Sequence, residues 1–108
     1  MKARNVFITG ASSGIGRATA YKFAEYGDNL ILCARRKENL NEIAQDIKNK
    51  WRSHVHIYEL DVTNYEDVSS VVKDLEDKDI KIDILVNNAG LASGLDKFQD
   101  SSIEAMEK

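Results

Sequence analysis

Apolar positions recur along this chain in two spacings, and the two alternate. Short aliphatic or β-branched runs at Asn5–Thr9, Asn29–Ala34, His54–Leu60 and Lys81–Asn87 predict four strands. The second is apolar throughout, as in a parallel strand covered on both faces. The third alternates, with His54, His56 and Tyr58 on one side and Val55 and Ile57 on the other, which suits an edge. Between the strands lie helical spacings. The first helix is predicted from Gly14 to Tyr26, with Ile15, Ala18, Phe23 and Tyr26 on one face and Gly27 as its stop. The second places Leu40, Ile43, Ala44 and Ile47 on one stripe and ends in Lys48-Asn49-Lys50, cations at the negative end of the helix dipole. The third repeats the stripe with Val68, Val71, Val72 and Leu75 and opens on Thr63-Asn64-Tyr65-Glu66, read as a capping box. Ser101-Ser102-Ile103-Glu104 reads as a second such box that starts a fourth helix. Strand and helix in strict alternation predict parallel strands joined by right-handed crossovers, a doubly wound α/β sheet ordered 3-2-1-4 with helices on both faces.

Length and composition narrow the classes. The 108 residues suffice for one domain, 1–108, and 43% apolar with 31% charged residues is a globular composition rather than a disordered one. The longest apolar run, Leu30 to Ala34, falls far short of the roughly 20 residues of a membrane span. Val6-Phe7-Ile8 is too brief for the apolar core of a secretory signal, so a cytoplasmic location is expected. The one cysteine, Cys33, sits in a strand and reads as a small buried apolar group. A net charge of −3 argues against a nucleic-acid coat. Residues 1–54 nonetheless hold ten Lys/Arg against five Asp/Glu, which leaves the first half able to meet an anion.

The chemistry concentrates after the first strand, in Thr9-Gly10-Ala11-Ser12-Ser13-Gly14-Ile15-Gly16. A strand-to-helix turn aims free backbone N–H groups and the positive end of a helix dipole at one point, and glycines allow an anion close approach, so a phosphate or pyrophosphate fits. The spacing is neither G-x-G-x-x-G, since Thr19 stands where the last glycine belongs, nor a P-loop, since no glycine precedes a lysine. The alternative is that the glycines only shape a tight turn. About 20 residues on, where dinucleotide-binding folds read the adenine ribose, the second strand ends in Cys33-Ala34-Arg35-Arg36-Lys37. A carboxylate at Ala34 would repel a 2′-phosphate; Arg35 and Arg36 can hold one by charge-assisted bonds. The cofactor expected from these residues is NADP, the alternative being a solvated basic loop.

Together, Thr9-Gly-x-x-x-Gly14-x-Gly16, Leu60-Asp61-Val62 and Asn87-Asn88-Ala89-Gly90 resemble the short-chain dehydrogenase/reductase family, with the Rossmann-like fold that membership implies. The resemblance spans the chain but matches only the N-terminal part of a typical member. It implies that Gly10, Ser12, Ser13, Gly14, Ile15 and Gly16 form and line the pyrophosphate site, and that Arg35 and Arg36 take the 2′-phosphate. Asp61 would accept from the adenine amino group beside the Val62 backbone, unless it is only a turn residue before Thr63. Asn87 would tie the central strands, and Asn88, Ala89 and Gly90 would pass under the nicotinamide ribose. The implied activity is interconversion of a secondary alcohol and a ketone, with small 3-hydroxy acids such as serine or 3-oxoacyl groups as substrates. The family's Tyr-x-x-x-Lys pair is not present: four places after Tyr21, Tyr26, Tyr58 and Tyr65 stand Glu25, Leu30, Val62 and Ser69. No catalytic residue is therefore assigned. The 108 residues are expected to be either part of an NADP-dependent alcohol dehydrogenase or carbonyl reductase, inactive alone, or a non-catalytic NADP-binding or interaction module. An exposed fourth strand predicts self-association into a homo-oligomer. His54 and His56, with no third ligand, read as a polar edge rather than a metal site.

Overall fold

The structure, a computed structural model, describes residues 3–12, 14–88 and 104–107. Five parallel strands, β1 (Asn5–Thr9), β2 (Asn29–Ala34), β3 (Val55–Glu59), β4 (Ile84–Asn87) and β5 (Glu104–Glu107), form one sheet in the order β3-β2-β1-β4-β5. Three helices, α1 (Gly14–Glu25), α2 (Glu38–Trp51) and α3 (Tyr65–Asp77), connect the first four strands. The predicted order 3-2-1-4 is present, and the layers follow from strand alternation. Val6, Ile8, Leu30 and Leu32 pack with Ala20, Ala24, Leu40 and Ile47 on the α1–α2 side. Phe7, Ile31 and Cys33 pack with Val68, Val71 and Leu75 on the α3 side. The central strands are thus buried on both faces, as a parallel sheet requires.

Three expectations need correction. The apolar face proposed for α1 is mostly not the buried one: Ile15 and Tyr26 are 63% and 71% exposed and Ala18 is exposed, Phe23 alone of the four packs against the core, and the buried row is Gly16, Ala20 and Ala24. Small residues at this spacing let the helix lie close to the sheet, so backbone proximity rather than side-chain size selects the face. Second, α3 is capped one residue later than read. Asn64, in extended conformation, accepts from the N–H groups of Glu66 and Asp67 through its side chain at 3.0 and 3.2 Å. Third, Glu104–Glu107 is a strand paired with Ile84–Asn87, not the first turn of a fourth helix; Ser101 to Ile103 lie outside the described residues. The outer backbone groups of β4 offer a ready ladder, and tertiary pairing overrides a local capping signal. With β1 on one side and β5 on the other, β4 is not the open edge that was expected; β3 and β5 end the sheet.

The amino ends of the strands are tied by polar contacts. Arg4 donates to the buried Asp28 carboxylate with two nitrogens, at 3.0 and 2.9 Å. Asn5 N–H donates to Asp83 Oδ2 at 2.7 Å and its amide to the Lys81 carbonyl at 2.8 Å, which places residues 81–83 in the turn before β4 rather than in the strand. The carboxyl ends, Thr9, Ala34, Glu59 and Asn87, therefore share the opposite rim, where open α/β sheets bind ligands.

Candidate functional site at the carboxyl rim of the sheet

The glycine turn is fixed from below. The Ala11 N–H donates to the Cys33 carbonyl at 3.0 Å, stitching the turn to β2, and Ala11 is fully buried. Gly16 sets the distance between turn and helix: a Cβ there would lie 2.0 Å from the Gly10 carbonyl oxygen, so only glycine permits this approach. Gly14 begins α1 at φ +58°, and a Cβ built on it would meet nothing within 4 Å. The first turn of α1 carries no acidic side chain. The positive end of the α1 dipole thus lies at a turn with open space at Gly14. Ile15 and Ser12 stand at its rim, exposed and half-buried. Of the expected pyrophosphate residues, Gly16 is placed for packing, and Ser13 lies outside the described residues.

A cleft of about 290 Å³ runs from this turn across the ends of β2 and β3, lined by Gly10, Ser12, Ala34, Arg35, Leu60, Val62 and Thr63. Its floor is apolar through Ala34, Leu60 and Val62, all buried, and its rim is basic. The Leu60 N–H donates to the Ala34 carbonyl at 2.8 Å, which holds the two loops in register beyond the last residues of the strands. Arg35 is 75% exposed at its side chain, its Nη2 lying 3.8 Å from Asp61 Oδ1. Arg36 is exposed and makes no ion pair among the described residues. Neither guanidinium is held by a hydrogen bond among the described residues, the 3.8 Å pair being too long for one.

Asp61 does not itself line the cleft. Its Oδ1 accepts from the Thr63 hydroxyl at 2.6 Å and the Thr63 N–H at 3.0 Å, an Asx turn. These hydrogen bonds, hydroxyl first, hold the Asp61 carboxyl below its ordinary range, and Arg35 adds to the effect. The turn reading of Asp61 therefore holds, and the same carboxylate stands as a fixed charge beside Arg35. Thr63, a wall of the cleft and the partner of Asp61, reads from the sequence only as the head of a capping box, not as a site residue. The Asp-x-Thr pattern of an Asx turn was the available signal.

At the end of β4 the Thr9 hydroxyl donates to Asn87 Oδ1 at 3.0 Å, joining the central strands as expected of Asn87. Next to it, both polar atoms of the Asn88 amide are buried and have no partner among the described residues. Ala89 and Gly90 lie outside the described residues.

Other groups stand apart. Burial pushes the Cys33 thiol well above its ordinary value, so it is inert, as read. His54 and His56 belong to no cluster of metal-ligating side chains among the described residues. Tyr21 donates to Asp46 at 2.7 Å and meets Trp51 edge-on at 6.0 Å, which makes both aromatics part of the α1–α2 contact. No helix among the described residues is long and apolar enough to cross a membrane.

This arrangement has known counterparts. The sequence model of the short chain dehydrogenase family matches residues 4–108. The chain is 40% identical over 96% of its length to an NADP-dependent 3-hydroxy acid dehydrogenase of Schizosaccharomyces pombe, covering 40% of that protein. It is 44% identical over 88% of its length to a sulfoacetaldehyde reductase of Chromohalobacter salexigens, covering 37% of it. Among solved structures, L-sorbose reductase from Gluconobacter frateurii, complexed with NADPH and L-sorbose, superposes with a TM-score of 0.78 at 40% identity over 85% of this chain and 35% of that one. An alcohol dehydrogenase from Thermococcus sibiricus complexed with 5-hydroxy-NADP gives 0.86 at 25% identity, over 98% of this chain and 57% of that one. The chain thus spans about two fifths of the length of the curated relatives it matches. Glycine turn, basic rim and paired asparagines lie on a 3-2-1-4 parallel sheet, and the family match runs through all three: the chain belongs to the short-chain dehydrogenases.

Proposed function

We propose that these residues form the NADP(H)-binding part of a cytoplasmic short-chain oxidoreductase that interconverts a secondary alcohol and a ketone. The observation that carries this reading is the end of β2, where Ala34 leaves the cleft without a carboxylate and Arg35 stands exposed at its rim. An acid at this place would accept from a free 2′-hydroxyl; a guanidinium instead attracts a 2′-phosphate. The open glycine turn fits a diphosphate, and the Asn88 amide, without a partner among the described residues, fits the ribose beyond it. The nicotinamide, when bound, gives or takes the hydride. The part of these residues is to hold and orient: backbone N–H groups on the diphosphate, Arg35 and Arg36 on the 2′-phosphate, the apolar floor of Ala34, Leu60 and Val62 under the adenine.

Small 3-hydroxy acids such as serine are the proposed substrate class, in keeping with the 40% identical relative, which is named an NADP-dependent 3-hydroxy acid dehydrogenase. None of the four tyrosines has a lysine four places on, so residues 1–108 alone are expected to bind cofactor without turning over an alcohol. The reading includes self-association through the sheet ends, β3 and β5.

Calorimetric titration tests the cofactor assignment. Hydrogen bonds to charged groups contribute about 1.5–3 kcal/mol, so Arg35→Ala should weaken NADP(H) binding roughly ten- to a hundredfold and leave NAD(H) binding nearly unchanged. Equal losses for the two cofactors would overturn it.

A further inference from the structure

The carboxylate nearest to the 2′-phosphate cations lies after β3, not at the end of β2 where cofactor choice is usually read. Asp61 Oδ1 sits 3.8 Å from Arg35 Nη2, and the two Thr63 bonds at 2.6 and 3.0 Å keep it from swinging away. The 3.8 Å separation is an ion pair but not a hydrogen bond, so Asp61 does little to aim the guanidinium. What it does supply is a fixed negative charge beside the cation that is to receive a dianion. Arg36 has no such counter-charge among the described residues.

Resting on the cofactor reading above, we propose that Asp61 is a specificity-determining counter-charge: it offsets part of the Arg35 field and sets the preference for NADP over NAD below what two free arginines would give. The two cofactors differ only at the 2′-position, and Asp61 reaches that position only through charge. An adenine contact by Asp61 would favour both cofactors alike. Its effect on the ratio of their affinities is therefore separable from its effect on either affinity.

The test is titration of NADP⁺ and NAD⁺ into the protein and its Asp61→Asn, Arg35→Ala and doubly substituted variants at one pH and salt. Asparagine keeps an oxygen for both Thr63 bonds while removing the charge, and loss of an adenine contact would weaken both cofactors alike and leave their ratio unmoved. Exposed pairs of this kind contribute modestly, so Asp61→Asn should raise the NADP⁺-over-NAD⁺ affinity ratio about two- to fivefold. The same substitution in the Arg35→Ala background should leave the ratio unchanged. A ratio that stays constant or falls in Asp61→Asn, or that rises equally without Arg35, overturns the inference even if the wild type prefers NADP⁺. A wild type that binds NADP⁺ no better than NAD⁺ overturns the cofactor reading itself, and the inference with it.

Discussion

A methyl group at position 16 has nowhere to go. Its carbon would sit 2.0 Å from the Gly10 carbonyl oxygen, and both partners are backbone, so either the turn or α1 must move. Overpacking of this kind costs about 1–3 kcal/mol. Gly16→Ala should lower the urea midpoint accordingly and weaken NADP⁺ binding in parallel, because the displaced turn is the one proposed to hold the diphosphate; an unchanged midpoint would contradict this. The sequence displays the glycines but does not tell which faces a ligand and which a helix, since that depends on the distance between α1 and the turn. A second residue carries a pH signature. Tyr58 donates to Asp74 Oδ2 at 2.5 Å, and burial first, then this bond, push its phenol up to about 12. The folded value lies above the unfolded one near 10, so the stabilisation is complete below about pH 10 and is lost as pH rises from there towards 12. Phenolate absorbance should show Tyr58 ionising late, a phase that Tyr58→Phe should remove.

At the scale of elements, α2 was legible to the residue: Leu40, Ile43, Ala44 and Ile47 are its buried row because large aliphatics at that spacing have one way to leave water. In α1 the same rule misleads, since Ile15 and Tyr26 lie on the exposed side and the small residues face the sheet. The start of α3 is ambiguous for another reason. Thr63 and Asn64 are both good caps, and the choice falls to Asn64 because the Thr63 hydroxyl is engaged by Asp61. Asn64→Ala should therefore cost about 1 kcal/mol by leaving two N–H groups without their acceptor, measured as a fall in thermal stability. If Asn64→Ala melts like the wild type, the cap is not there.

For the whole molecule the proposed self-association falls to the sheet ends. Self-association was expected at β4, but β5 pairs with it, and the backbone edges among the described strands are those of β3 and β5. Size exclusion with light scattering should give a mass of two chains or more, and a monodisperse species of 12.1 kDa would count against it. The sequence by itself determined the alternation of strand and helix, the strand order, the glycine turn and the basic residues after β2. Each of these is a local pattern or follows from chain connectivity and the handedness of crossovers. Tertiary structure alone decided which face of α1 is buried, that Glu104–Glu107 extends the sheet, and that Asp61 stands beside Arg35 across loops 26 residues apart. Those depend on distances between segments remote in sequence, and no periodicity along a chain encodes a distance across the sheet that folds it.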